Sequence, residues 1–535
     1  MQARVAVEAS IFGVAIAWLY AASSHLHVLD ALPQLQPLLA CLMAMLVAGT
    51  VATMRAHVYL PLETIARTRP ENDTGILVGA VLLPLVGCSR LLVAVAETST
   101  LDAYALVLLV CVMVLSLSTL VRLVAHAPWS LSPTALWEPL LVQILSRFLP
   151  LDYLHGTSVW PLHAALAVYN LLLRYGLAAL PRSFTFGEAM VLSQGMSLVV
   201  VDSVFYTLQS MALFDAGIPI HEPTTIVIQL VLVSGVALGV LCTPLFRRYG
   251  APSPQKPSPP LPLRPTLLFG GLVAAVGVVF LVWSSFLLRE SILHWLFARI
   301  STPSALRVLA CWALLLGVVV PLCPWIASTL GLRQIVARKL YHFLAVALFL
   351  PASLLDMDLL RLSYAIAIGL FFILECVRAL SVPPMGRPIA AFMRAYLDHR
   401  DDGRIVLSHT YLLLGCALPS WLCPTASTVL LANTGVLALG IGDAMGAVVG
   451  SSVGRTKVCG TKTLEGSVAV FISMVLFAYA AVPSAHPWAT PVFLGFLWST
   501  WLTTALEAVT CQIDNLVLPL FYFATCCITQ AYARG

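Results

Sequence analysis

The chain has 535 residues, 60% of them hydrophobic and only 10% charged, with a mean hydropathy of +0.94. A soluble protein clothes its surface with roughly a quarter of its residues charged, so this composition excludes an ordinary soluble enzyme and places the chain in a bilayer. The 29 Lys and Arg against 24 Asp and Glu leave a net charge of +5 without a basic run of five or more, which sets nucleic acid aside as a partner.

A bilayer core takes about 20 apolar residues as a helix. Stretches of that kind lie at 33–53, 75–97, 102–124, 158–181, 189–214, 223–243, 267–288, 308–330, 341–355, 360–380, 405–423, 428–450, 467–483, 490–510 and 515–530, with weaker ones at 9–24 and 136–152. They predict an all-α, polytopic integral membrane protein with about 15 transmembrane helices. The thirteen cysteines are scattered through these runs without a CxxC pair, and read as free thiols packing as small hydrophobes.

Taken in chain order, the first apolar run, Ile11 to Ser23 behind Arg4, carries Glu8 and feeds another apolar run, so it reads as a retained helix rather than a cleaved signal. Asn72-Asp73-Thr74 is a formal glycosylation sequon, but Arg67 and Arg69 beside it argue for the cytosolic side and no modification. The low-hydropathy stretch 246–265 is rich in proline, and its four charges are all basic. It reads as an extended cytosolic linker between an N-terminal transmembrane region, 1–245, and a C-terminal one, 266–535. Basic clusters at Arg247/Arg248/Lys256/Arg264, Arg333/Arg338/Lys339, Arg387/Arg394/Arg400/Arg404 and Arg455/Lys457/Lys462 are each separated by two spans. Even parity puts them on one face, and the positive-inside bias makes it cytosolic. Arg289, Arg299 and Arg307 fall on the opposite side, with 289–300 reading as a short amphipathic segment.

Polar motifs become dense after residue 330. Arg338 and His342 lie four apart on one helical face. The loop from Tyr396 to His409 holds Asp398, Arg400, Asp401, Asp402 and Arg404. An apolar run then ends at Gly442-Asp443, after which glycines recur at 442, 446, 450 and 454. Alone, these glycines read as a small-residue packing seam between helices. Asp443 points further, to a site that a ligand's phosphates and a divalent cation approach, because a carboxylate at membrane depth is costly unless paired, hydrated or metal-bound. The following loop, Gly454 to Gly466, offers Arg455, Lys457, Lys462, threonine hydroxyls and flexible glycines, the donor set a polyphosphate requires. It departs from the Walker A spacing. Glu507 and Asp514, seven apart, read as two acids on one helix face near the C-terminus, with Gln512 and Asn515 close by.

These blocks resemble the dolichol kinases, CTP-dependent polyprenol kinases related to phytol kinases and phosphatidate cytidylyltransferases. The resemblance runs in order through ARKLYHFLAVALFLP, FFILECVRAL, YLDHRDDGRIVLSHTYLLLGCALP, LALGIGDAMGAVVGSSVGRTK, GTKTLEGS and LEAVTCQIDNLVLPL, over about 330–520. Residues 1–265 share only the hydrophobic character. One departure is that the family tends to show Gly-Thr-Lys-Lys-Thr where this chain has the single Lys462, which leaves the loop one residue shorter.

The resemblance implies a magnesium-dependent transfer of the γ-phosphate of CTP to dolichol, a membrane lipid. The product is dolichyl phosphate, the carrier for protein N-glycosylation, mannosylation and GPI-anchor synthesis. It implies a multi-pass protein of the endoplasmic reticulum membrane with its nucleotide site facing the cytosol. The roles expected on that basis are Gly460, Thr461, Lys462, Thr463, Leu464, Glu465, Gly466 and Ser467 around the CTP phosphates, with Arg455 and Lys457 adding charge. Asp443 would hold Mg²⁺ or another divalent cation, with Glu465 or Asp514 as second ligand, and the base for the lipid hydroxyl would be Asp443 or His342. The rival readings are a CTP-dependent lipid cytidylyltransferase and a multi-span transporter.

Overall fold

The computed structural model describes residues 2–60, 64, 67–71, 73–98, 103–125, 137–148, 160–213, 218–251, 253–254, 259–394, 397, 401, 403–423, 429–481 and 490–534. Among these, thirteen helices are long and apolar enough to cross a bilayer, and Val436–Ser452 and Leu464–Ala480 are shorter apolar stretches. The all-α, polytopic architecture is therefore as the hydropathy predicts.

The departures from the predicted spans have local causes. The run at 428–450 is not one helix: it comprises a short turn Val429–Ala432, a π-helix Val436–Asp443 and an α-helix Ala444–Ser452. Among the described residues, the weak span at 136–152 holds the ten-residue helix Trp137–Ser146, with 136 and 149–152 outside them. The basic residues Arg247 and Arg248 belong to the last turn of helix Pro223–Tyr249, where cations complement the helix dipole, so the linker begins at Gly250 rather than 246. Its ends are pinned: Ala251 N–H donates to Ala379 O at 3.0 Å, and Leu261 N–H to Ser381 O at 3.1 Å.

The proline-rich stretch does not divide two hydrophobic cores. One continuous core joins helices of the first half, among them Gln2–His25, Leu35–Met54, Ile76–Thr98 and Phe186–Ser210, to Asp514–Arg534 near the end of the chain. Asp514–Arg534 packs along Ile76–Thr98 and is enclosed on nearly every side, which its apolar residues permit without exposing backbone. Phe12 of the first helix meets Phe521 edge to face at 5.1 Å, so the first apolar run is part of the packed structure.

Helices Leu263–Leu288 and Pro303–Thr329 contrast with this core. They are apolar all round and mostly exposed, as a helix facing lipid tails should be. Between them lies the short helix Ile292–Ile300, as the amphipathic reading of 289–300 anticipated. Its Arg299 is neutralised by Asp356, with Nη1 3.0 Å from Oδ2, and Ser304 Oγ donates to the same carboxylate at 2.9 Å.

Candidate active site

The site is built where the π-helix crosses helix Gln334–Leu355. Widening the helical turn to π geometry brings glycine backbone against the neighbouring helix, and such segments recur at functional sites. A Cβ on Gly440 would stand 2.4 Å from Val346 Cγ2, so only glycine permits this approach. The crossing places Asp443, at the end of the π-helix, opposite Lys339 and His342, three residues apart and therefore on one helix face. Lys339 Nζ donates to Asp443 Oδ2, and His342 Nε2 stands 3.4 Å from the same oxygen. Asp443 and His342 are both buried, and a buried carboxylate is tolerable only with such partners. Lys339 was hidden in the sequence among ordinary membrane-edge cations. Its spacing from His342 is the signal that could have singled it out.

Lys462 enters from the other side. The loop after Gly454 is a β-hairpin, Lys457–Cys459 against Lys462–Thr463, turned at Gly460, whose φ of +56° suits glycine. Thr463 Oγ1 accepts the Gly466 N–H at 3.2 Å and starts helix Leu464–Ala481. Lys462 Nζ donates to Glu507 Oε1 and lies 3.7 Å from Asp514 Oδ2. Burial would lower the Lys462 pKa, but Glu507, Asp514 and Asp443 together raise it, so the ammonium stays charged.

The predicted phosphate cradle divides in two. Arg455, Lys457, Gly460, Thr461 and Leu464 form an exposed rim, whereas Thr463, Gly466 and Ser467 are buried behind it. Glu465 is taken up by the hairpin: its Oε1 and Oε2 accept the Thr456 N–H at 3.1 and 3.2 Å. The glycine-lined face of Ala444–Ser452 is likewise filled, by Leu464–Ala481 and the hairpin. A Cβ on Gly446 would meet Val470 Cγ2 at 2.6 Å, and one on Gly450 would meet Thr463 Oγ1 at 3.0 Å. These glycines make a packing seam, and the ligand approach that Asp443 suggested along that face is corrected accordingly.

Glu507 and Asp514 do not share a helix, contrary to the sequence reading. Helix Thr490–Val509 ends between them and Asp514 opens helix Asp514–Arg534, so the intervening turn folds both acids toward Lys462. In the loop before His409, Asp398, Arg400 and Asp402 lie outside the described residues. Asp401 accepts the Ser408 hydroxyl at 2.8 and 2.9 Å and acts electrostatically on His409, which in turn feels His342. The segment after it is fixed by the buried Glu375–Arg378 pair: Glu375 Oε1 accepts Val406 N–H at 2.6 Å, and Arg378 Nη2 donates to Arg404 O at 3.0 Å. Among the described residues, no three His, Cys, Asp or Glu side chains gather to hold a metal by themselves.

A family model described as dolichol kinase matches residues 157–413. The chain is 28% identical to the Dolichol kinase EVAN of Arabidopsis thaliana over 516 residues, 86% of this chain and 89% of the relative. It is 31% identical to the human Dolichol kinase over 373 residues, 66% of each chain. The chain belongs to the dolichol kinase family. It is also 39% identical to the Dolichol kinase sec59 of Schizosaccharomyces pombe over 196 residues, 34% of this chain and 37% of that one. No solved structure matches it. The family match begins well upstream of the linker, so the likeness to dolichol kinases is wider than the motifs after residue 330. It spans Lys339 and His342 and ends before Asp443.

Proposed function

We propose that this protein transfers the γ-phosphate of CTP to the terminal hydroxyl of dolichol, giving dolichyl phosphate, at the cytosolic face of the endoplasmic reticulum membrane. The observation that carries the reading is a pair of neighbouring lysine–carboxylate contacts: Lys339 on Asp443, and Lys462 on Glu507 and Asp514, with Asp443 also acting on Lys462. Phosphoryl transfer asks a protein mainly for alignment and for charge neutralisation of the transferring group. A cluster with movable cations beside an exposed basic hairpin can supply both.

In this reading Arg455, Lys457 and Thr461 on the hairpin rim receive the nucleotide, and Lys462 passes from its carboxylates to the phosphates. Mg²⁺ is commonly held by one or two carboxylates together with substrate phosphates. Asp443 and Asp514 are the carboxylates that would hold it. Glu465, bonded to Thr456, is the weaker choice as second ligand. When bound, the metal neutralises charge developing on the phosphate oxygens. His342, 3.4 Å from Asp443, then takes the proton of the attacking lipid hydroxyl. The product would feed protein glycosylation, mannosylation and GPI-anchor synthesis.

The test is purified protein given dolichol, Mg²⁺ and CTP labelled at the γ-phosphate. Label entering the lipid is the expected result. Release of pyrophosphate with CMP joined to the lipid would instead identify a cytidylyltransferase, and no reaction with active, folded protein would favour transport.

A further inference from the structure

A second buried polar network lies where the first half of the chain meets the turn 510–513. Helix Phe186–Ser210 opens with a capping box, in which Glu188 N–H donates to Thr185 Oγ1 at 3.2 Å and Thr185 N–H donates to Glu188 Oε2 at 3.1 Å. The same two side chains also reach across the fold. Glu188 Oε1 accepts Ile513 N–H at 3.0 Å, and the Thr185 hydroxyl donates to Gln512 Oε1 at 2.6 Å. Arg69 Nη2, 2.6 Å from Glu188 Oε1, balances the charge.

Two further contacts bear on the turn. Arg4 Nη1 donates to Val509 O at 3.2 Å while Nη2 pairs with Asp73. Gly75, with φ at +73°, lies so close to Gln512 that a Cβ there would stand 2.3 Å from Oε1. Thr185, Glu188, Arg69 and Gln512 are each no more than 5% exposed, so these hydrogen bonds do not compete with bulk water. A helix cap needs only the bonds within 185–188. The added bonds fall on Gln512 and Ile513, in the four-residue turn 510–513 that joins helix Thr490–Val509, which carries Glu507, to Asp514.

We infer that Thr185 and Glu188 are positioning residues for phosphoryl transfer: the N-terminal half of the chain holds the 510–513 turn so that Glu507 and Asp514 present their carboxylates to Lys462 together. The inference rests on the function proposed above. It gives the region 1–245 a defined task, since a misplacement of about 1 Å in a reacting assembly can lower its rate about 100-fold.

Cys511 lies in the turn, is half-buried and carries a free thiol, so it reports the turn's position without reference to catalysis. The experiment compares full-length wild type, Thr185→Val, Thr185→Ser and Gln512→Ala. It measures kcat and KM for CTP with dolichol, and the rate of Cys511 alkylation by a maleimide, read by peptide mass spectrometry. Gln512→Ala leaves the capping box whole and removes only the Thr185 contact across the fold. The expected result is that Thr185→Val and Gln512→Ala alkylate faster at Cys511 and lose kcat/KM by about 100-fold, while Thr185→Ser stays near wild type in both. Wild-type kinetics in Gln512→Ala would overturn the inference, as would a loss confined to Thr185→Val, which marks the helix cap alone. Should wild type transfer no phosphate, the proposed function falls, and an unchanged Cys511 rate in Gln512→Ala would separately overturn the hold on the turn.

Discussion

Lys339, rather than Lys462, is the lysine whose Nζ contacts Asp443 in this structure. The two lysines thus have separate carboxylate partners, Asp443 for the first and Glu507 with Asp514 for the second. On the proposed function, Lys339 would orient the carboxylate at the lipid hydroxyl while Lys462 would meet the nucleotide.

Lys339→Met should lower the rate of lipid phosphorylation about 100-fold, the scale of losing one preorganised charge at a transferring group. The apparent KM for CTP should change little, because the partner of Lys339 is Asp443 and not the hairpin. Steady-state kinetics with varied CTP checks this, and a loss expressed mainly in KM would place Lys339 on the nucleotide instead. Asp443→Ala, tested beside it, should abolish transfer in a protein that still folds.

Lys462→Met leaves the buried Glu507 beside an apolar side chain, and a buried carboxylate that loses its cation is destabilising even though Lys462 itself is only part-buried. The single variant should therefore melt earlier in detergent than wild type. Lys462→Met combined with Glu507→Gln should regain much of that stability without regaining use of CTP. Melting curves and CTP kinetics on both variants separate the two roles, and recovered CTP affinity in the double variant would remove Lys462 from the nucleotide site.

Gly446→Val forces new methyl groups onto Val470, where even a Cβ would lie at 2.6 Å. Overpacking of this kind costs about 1–3 kcal/mol, so expression and thermal stability should fall. Gly450→Ala, facing Thr463 Oγ1 at 3.0 Å, should be milder. Nucleotide binding by the folded fraction of either variant should resemble wild type if the seam serves packing alone, which binding at a temperature below both midpoints would show.

Asp356 lies between two spans. Burial would raise its pKa, but hydrogen bonds from Arg299, Leu359 N–H and Ser304 outweigh burial and hold it below the ordinary 3.8. A carboxylate depressed in the folded state contributes stability fully above its unfolded pKa and loses it as pH falls through the lower folded value. Wild type should therefore lose this contribution below pH 3.8, whereas Asp356→Asn should lack it at every pH. Thermal midpoints measured from neutral to acidic pH should differ most at neutral pH and converge in acid.

The amino-acid sequence by itself determined the helical, membrane-embedded class, the approximate span count and which apolar stretches carry carboxylates. Those follow from local quantities: about 20 apolar residues per crossing, and the cost of leaving Asp443, Glu507 and Asp514 unpartnered in a bilayer. Only the tertiary structure decided which groups meet. A π-turn at 436–443 brings Asp443 to Lys339 and His342 over a separation of about a hundred residues, and periodicity cannot register such a turn. The break between Glu507 and Asp514, the burial of the glycine face by Leu464–Ala481, and the bond from Glu188 to Ile513 are likewise contacts between distant segments. The few charges of this chain could be found by reading it, but their pairing is set by helix crossings.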